Sequence, residues 1–216
     1  MEQGRGSGMG QAHLLRRVGL RFDTLILMGT RSGQWMVAGL LMAGMAGAAQ
    51  TAGVDAALLA KANGGDATAQ VAVGQAYEKS ATKPGYAQAA AWYLKAANQG
   101  NIGAEVRLAA LYRDGRGVAR DMAQAADWYR KAADQGDVSA QGTLGLLYSI
   151  GQGVPRSDVE AYYWLALAAA AKGPEQEKYA ANRQSMAARI TADELEAVQD
   201  RVAQWLAAHP RPPAAD

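Results

Sequence analysis

The segment Ser80-Ala81-Thr82-Lys83 is where residue types and spacing come nearest to covalent chemistry. In S-x-x-K the serine hydroxyl attacks an acyl group, and a lysine one helical turn along handles its proton. That geometry needs the serine to open a helix. Here Pro84 and Gly85 follow at once, which reads as the end of any such helix, and no S-D-N or K-T-G partner exists. The tetrad is expected to be a loop. The carboxylates Glu175/Glu177 and Glu194/Glu196 lie two apart, so on a helix they diverge and should be solvated. Apart from His13 the chain has one histidine, His209, which leaves no histidine pair for a metal and no Ser/His/Asp set. Absence of cysteine removes disulfides, thiolate metal sites and thiol nucleophiles. No cofactor and no metal is expected, and the chain reads as non-catalytic.

The elements that position these residues are set by composition and period. Half of the chain is hydrophobic but only 7% is aromatic, so the apolar content is mostly alanine, the strongest helix former. Residues 1–49 carry five basic side chains against two acidic ones, leaving 17 basic and 18 acidic for the rest. A near-neutral body without basic runs offers no footprint for nucleic acid. Trp92, Trp128 and Trp164 recur 36 residues apart, and Tyr77, Tyr112 and Tyr148 recur at 35 and then 36. Each unit reads as two helices. Ala104, Leu108, Leu111 and Tyr112 share one face, Gly115 and Gly117 break the pattern, and Asp121 with Gln124 opens a second helix carrying Ala125, Trp128, Tyr129 and Ala132. Ser157 with Glu160 and Thr191 with Glu194 predict further capping boxes, and Asn101 and Asp137 predict caps for the first helices.

The order A…LG..Y..G.GV..D…A..WY.KAA.QG resembles the Sel-one-like repeat, a relative of the tetratricopeptide repeat. Gly115, Gly117, Val118, Asp121, Ala125, Trp128, Tyr129, Lys131, Ala132, Ala133, Gln135 and Gly136 carry the likeness in the second unit. In the third it is carried by Leu144, Gly145, Tyr148, Gly151, Gly153, Val154, Ala161 and Trp164, with Leu165 in place of the usual tyrosine. The first unit lacks the G-x-G turn. The resemblance implies an all-α, right-handed α/α solenoid of three units with helical caps, and a role as a protein-interaction scaffold.

The expected division is a leader and signal segment over 1–49, a linker and cap helix over 50–65, and repeats over about 66–100, 101–136 and 137–173. Capping helices over 174–209 and a disordered tail over 210–216 complete it. The leader reading rests on the apolar run Trp35–Gly47, too short for a comfortable membrane span, followed by the small residues of a cleavage site. Cleavage after Ala48 or Ala49 is expected, with Met28 as an alternative natural start; an amino-terminal membrane anchor is the alternative to cleavage. The product would be periplasmic or secreted.

Residues repeated in every unit should pack unit on unit, so binding is expected where units differ and face away from the core. On the first helices these positions are Val71, Gln75 and Glu78; Val106, Ala110 and Arg113; and Gly142, Leu146 and Ser149. Arg113 is the expected anchor for a protein or peptide partner in the cell envelope. A peptidoglycan- or exopolysaccharide-associated module is the second reading, and an enzyme of the penicillin-binding type the third.

Overall fold

The computed structural model describes residues 54–210, which form nine α-helices and, among the described residues, no strand. In chain order these are α1 (Ala56–Asn63), α2 (Ala67–Lys79), α3 (Lys83–Ala97), α4 (Ile102–Asp114), α5 (Met122–Asp134), α6 (Val138–Ile150), α7 (Asp158–Ala169), α8 (Gln176–Ala187) and α9 (Ala192–Ala208). The leader, its cleavage site and the tail beyond residue 210 lie outside the described residues.

Helix starts are written in side chains. Asp55, Asp66, Thr82, Asn101, Asp137, Ser157 and Thr191 each accept a hydrogen bond from a backbone N–H three residues on. Such a cap satisfies a donor the helix itself cannot, worth about 1 kcal/mol. Thr191 and Glu194 form the full reciprocal box. The boxes expected at Asp121/Gln124 and Ser157/Glu160 are half-boxes: the cap accepts, but Glu160 turns instead to Arg201, at 2.8 Å. One sequence reading is overturned. Pro84 and Gly85 do not end a helix; they lie in the first turn of α3, where the missing proline N–H costs nothing.

Each helix from α1 to α7 packs on its successor in sequence, so α2/α3, α4/α5 and α6/α7 form stacked hairpins that build an all-α solenoid. The core is alanine-rich. Ala89, Ala96, Ala125, Ala132, Ala161 and Ala168 are fully buried, with Tyr93, Leu108, Leu144 and Leu165 filling the space between helices. The tryptophans are core residues, Trp92, Trp128 and Trp164 being 5%, 8% and 5% exposed. Lys95 and Lys131 lie over the faces of Trp92 and Trp128, at 3.9 and 3.7 Å from the ring centroids.

The G-x-G loops do two jobs. Gly115 and Gly151 terminate α4 and α6 in the left-handed conformation, which only glycine enters without cost. Gly117 and Gly153 bring loop backbone against the start of the preceding unit's second helix. A Cβ at Gly117 would collide with the Tyr86–Ala87 backbone, and one at Gly153 with the Met122 carbonyl. Among the described residues, the loop of the first unit has no such earlier hairpin to meet. It is a tighter turn in which Ala81, with φ of 53°, is the single non-glycine residue at positive φ among the described residues.

After the third hairpin, α8 continues the stack on α7, while α9 leaves the chain order and packs back across α7. Val198 is buried there. Arg201 pairs with Glu160 and lies 4.5 Å from the Tyr163 ring centroid, and Gln199 donates to the Tyr162 hydroxyl at 3.3 Å.

Candidate functional site

The first helices of the three hairpins, α2, α4 and α6, place their equivalent positions side by side. Counting by helical turns, one solvent-facing stripe runs Thr68, Ala72, Gln75, Lys79 on α2; Gly103, Arg107, Ala110, Asp114 on α4; and Ser139, Thr143, Leu146, Ile150 on α6. Every one of these twelve is exposed or half-buried. The stripe expected from sequence lies one residue to the side. Gln75, Ala110 and Leu146, all half-buried, are common to both; Leu146 packs partly against the core, as do half-buried Val71 and Val106 beside the stripe. Gly142 is buried outright, because the Tyr179 ring of α8 occupies the place its Cβ would take.

Glu78, Arg113 and Ser149 are half-buried rather than open, and each is engaged in its own hairpin. The Tyr93 hydroxyl donates to Glu78 Oε2 at 2.7 Å, and Arg107 Nη1 meets the same oxygen at 3.2 Å. Arg113 holds Asp114 through Nε at 2.8 Å and gives Nη1 to the Tyr129 hydroxyl at 3.2 Å. In the third unit the position of Tyr93 and Tyr129 is Leu165, which has no hydroxyl, and Ser149 donates instead to the Leu146 carbonyl at 2.8 Å. The residue at this varying position is thus matched to the second helix behind it, Glu78 and Arg113 meeting a tyrosine hydroxyl and Ser149 facing none. Burial raises the pKa of both tyrosines, so their hydroxyls stay protonated donors, and Arg113 holds Asp114 below the usual carboxylate range.

Between α2 and α4 the face sinks into a depression of about 190 Å³ lined by Gln75, Glu78, Lys79 and Arg107. Three of the four side chains bring N–H donors. Lys79, Arg107 and Ile150 were not singled out from sequence, yet a one-residue rotation of the helical wheel would have found them.

A second feature was also missed, although it repeats. Gln70, Glu105 and Gln141 hold equivalent places near the start of α2, α4 and α6, and all three are buried. Gln70 and Gln141 each donate to the carbonyl eight residues upstream, Ala62 and Ala133, at 3.1 Å. Gln99 reaches Gln70 at 2.8 Å, and Gln135 reaches Glu105 at 2.7 Å. The Gln99 and Gln135 bonds tie the end of a second helix to its own first helix, while those to Ala62 and Ala133 tie a first helix to the helix before it. Glu105 is the exception in kind: burial pushes its carboxyl up, partly offset by Lys131 and by the Gln135 bond.

Ser80 caps the end of α2, with its hydroxyl bonded to the Tyr77 carbonyl at 2.7 Å, while exposed Lys83 is the first residue of α3. Serine and lysine therefore belong to different helices, which is not the S-x-x-K arrangement. No group of three potential metal-ligating side chains occurs among the described residues, and no described helix is long and apolar enough to cross a membrane.

The family model of the Sel1 repeat matches three times in tandem, at residues 67–101, 102–137 and 138–172, each match covering one hairpin. No curated protein is significantly similar to the chain. Among solved structures, a protective antigen of uropathogenic Escherichia coli with an SLR fold is 29% identical, with a TM-score of 0.61 over 74% of this chain and 36% of its own. A Sel1 repeat protein from Oxalobacter formigenes is 36% identical over 49% of this chain and 44% of its own, with a TM-score of 0.46. The chain thus spans little more than a third of the length of the first and under half of the second. Three hairpins on a 35- to 36-residue period, the buried tryptophans and the paired-glycine loops make this chain a Sel1 repeat protein.

Proposed function

We propose that the protein is a non-catalytic scaffold of the bacterial cell envelope that holds a protein or peptide partner on the face formed by α2, α4 and α6. Sel1 repeat proteins are in general protein-interaction scaffolds. One observation carries the extension to this face: the repeated alanines and tryptophans are buried between helices, while the twelve exposed or half-buried positions of the stripe differ from unit to unit. A surface that varies over an invariant frame is suited to recognition rather than to folding. Export rests on the apolar run and small-residue exit at residues 35–49.

In-cell photo-crosslinking tests the reading. A benzophenone amino acid placed at Arg107 or Ile150 should give adducts with one defined protein, and the same probe at exposed Asp200 on α9 should not. Equal labelling from all three positions would defeat the assignment of the face. Amino-terminal sequencing of envelope material decides export: a start at Ala49 or Gln50 supports it, whereas an intact membrane-retained chain points to an anchor. Cosedimentation with cell wall, without any protein adduct, would favour a peptidoglycan or polysaccharide ligand instead.

A further inference from the structure

The last residues of α2, α4 and α6 form one rim of the open face, and they are Lys79, Asp114 and Ile150. At this equivalent position the three units present a cation, an anion and an aliphatic group. Asp114 is held by Arg113 at 2.8 Å, with Arg116 and Arg120 also near it, so the middle of the rim offers no free anion. The α2 end is different. Glu78 is taken up by Tyr93 and Arg107, whereas Lys79 has no partner among the described residues, and Arg107 uses one nitrogen on Glu78 and keeps further N–H donors. The depression there is rich in spare donors and positive charge. At the α6 end, Ile150 is 60% exposed, and half-buried Leu146 lies one turn before it. The places of Leu146 are Gln75 and Ala110 in the other units, so this apolar pair is peculiar to the third.

Resting on the scaffold reading above, the geometry points to a partner segment bound in one fixed direction. It is an acidic-plus-apolar peptide, with a carboxylate in the donor-rich depression by Lys79 and Arg107 and a large aliphatic side chain on Leu146 and Ile150. Neighbouring first helices come within side-chain reach, Arg107 meeting Glu78 at 3.2 Å, so at about 10 Å between neighbouring axes the two subsites, one and a half spacings apart, are separated by about 15 Å. An extended peptide rises about 3.3 Å per residue, which sets the acidic and apolar residues about four to five positions apart. Charge complementarity selects the acid, since a basic residue would face Lys79 and Arg107 across a shared depression. The apolar anchor supplies most of the affinity, as a few desolvated contacts dominate such interfaces.

A phage-displayed random dodecapeptide library panned on the immobilised full chain tests this. Selected peptides should carry Asp or Glu four to five residues from Leu, Ile, Met or Phe. Ile150→Ser should weaken a selected peptide about tenfold, and Lys79→Glu about threefold to fivefold at low salt. Panning on Lys79→Glu should no longer enrich acidic residues. Both substitutions are at exposed positions, and an unchanged thermal melt confirms that the fold is intact. Peptides without the acidic–apolar spacing, or binding that ignores both substitutions, would overturn the directional reading while leaving a scaffold role intact. Failure to recover any binding peptide would overturn it too. The crosslinking at residues 107 and 150 then decides separately whether the scaffold reading survives.

Discussion

At the scale of single residues, the face holds side chains in place by partners drawn from the helix behind it. Glu78 and Arg113 both answer a tyrosine hydroxyl, and where the tyrosine becomes Leu165 the facing residue becomes a serine that bonds its own helix. Tyr93→Phe should therefore cost about 1 kcal/mol in a urea melt, the net worth of one such hydrogen bond. In a Glu78→Gln background the same change should cost clearly less, because the charged acceptor has already gone; additive losses would mean the two groups are not coupled. Arg113→Glu is not a silent surface change. It sets a second carboxylate beside Asp114 and leaves Tyr129 without its cation, so a lowered melting temperature is expected alongside any effect on binding. Its half-exposed setting keeps that loss to about 1 kcal/mol.

At the scale of helices, the buried Gln70–Glu105–Gln141 series offers an internal control, since one position has an ionisable group where its two equivalents have amides. Burial raises the Glu105 pKa, so the folded state holds that proton more tightly than the unfolded chain does. The stability this proton confers is complete below the unfolded carboxylate value and is lost as pH rises through the higher folded value. Glu105→Gln should accordingly stabilise the protein at neutral pH by about 1 kcal/mol, with the advantage shrinking as pH falls toward the ordinary carboxylate range. A gap that widens on acidification would contradict the burial argument. Trp128→Ala should cost about 3–5 kcal/mol, because alanine leaves a large cavity between hairpins. The helices and their period were legible in the sequence because tryptophan, alanine and the capping residues repeat at fixed spacing. Less legible were the start of α3, where a proline was read as a stop, and the rotation of the open face, where a one-residue error exchanges Arg113 for Asp114 and Val106 for Arg107. The series of buried polar side chains escaped notice because polar residues near a helix start are ordinarily solvated, and only the neighbouring helix end reveals what they bond.

At the scale of the whole solenoid, a unit that exposes its last hairpin leaves an apolar face without cover, and α8 with α9 supplies that cover. Tyr179 fills the slot at Gly142, Met186 and Val198 are buried, and Arg201 and Gln199 bind the polar edge of α7. A chain ended after residue 173 is expected to lose cooperative thermal unfolding by circular dichroism and to aggregate on size-exclusion chromatography, while removal of residues 211–216 should change neither. The second glycine of each loop gives the array a grammar for changing its length. Gly117 and Gly153 lean on the hairpin before them, so a hairpin carrying that glycine fits after another, whereas the first unit's loop, lacking it, fits only at the beginning. Tandem duplication of residues 102–137 should yield a longer folded chain with a higher helical signal, and duplication of 67–101 into the interior should not. Lineages that lengthen such proteins would then be expected to copy middle units and to keep the opening one single.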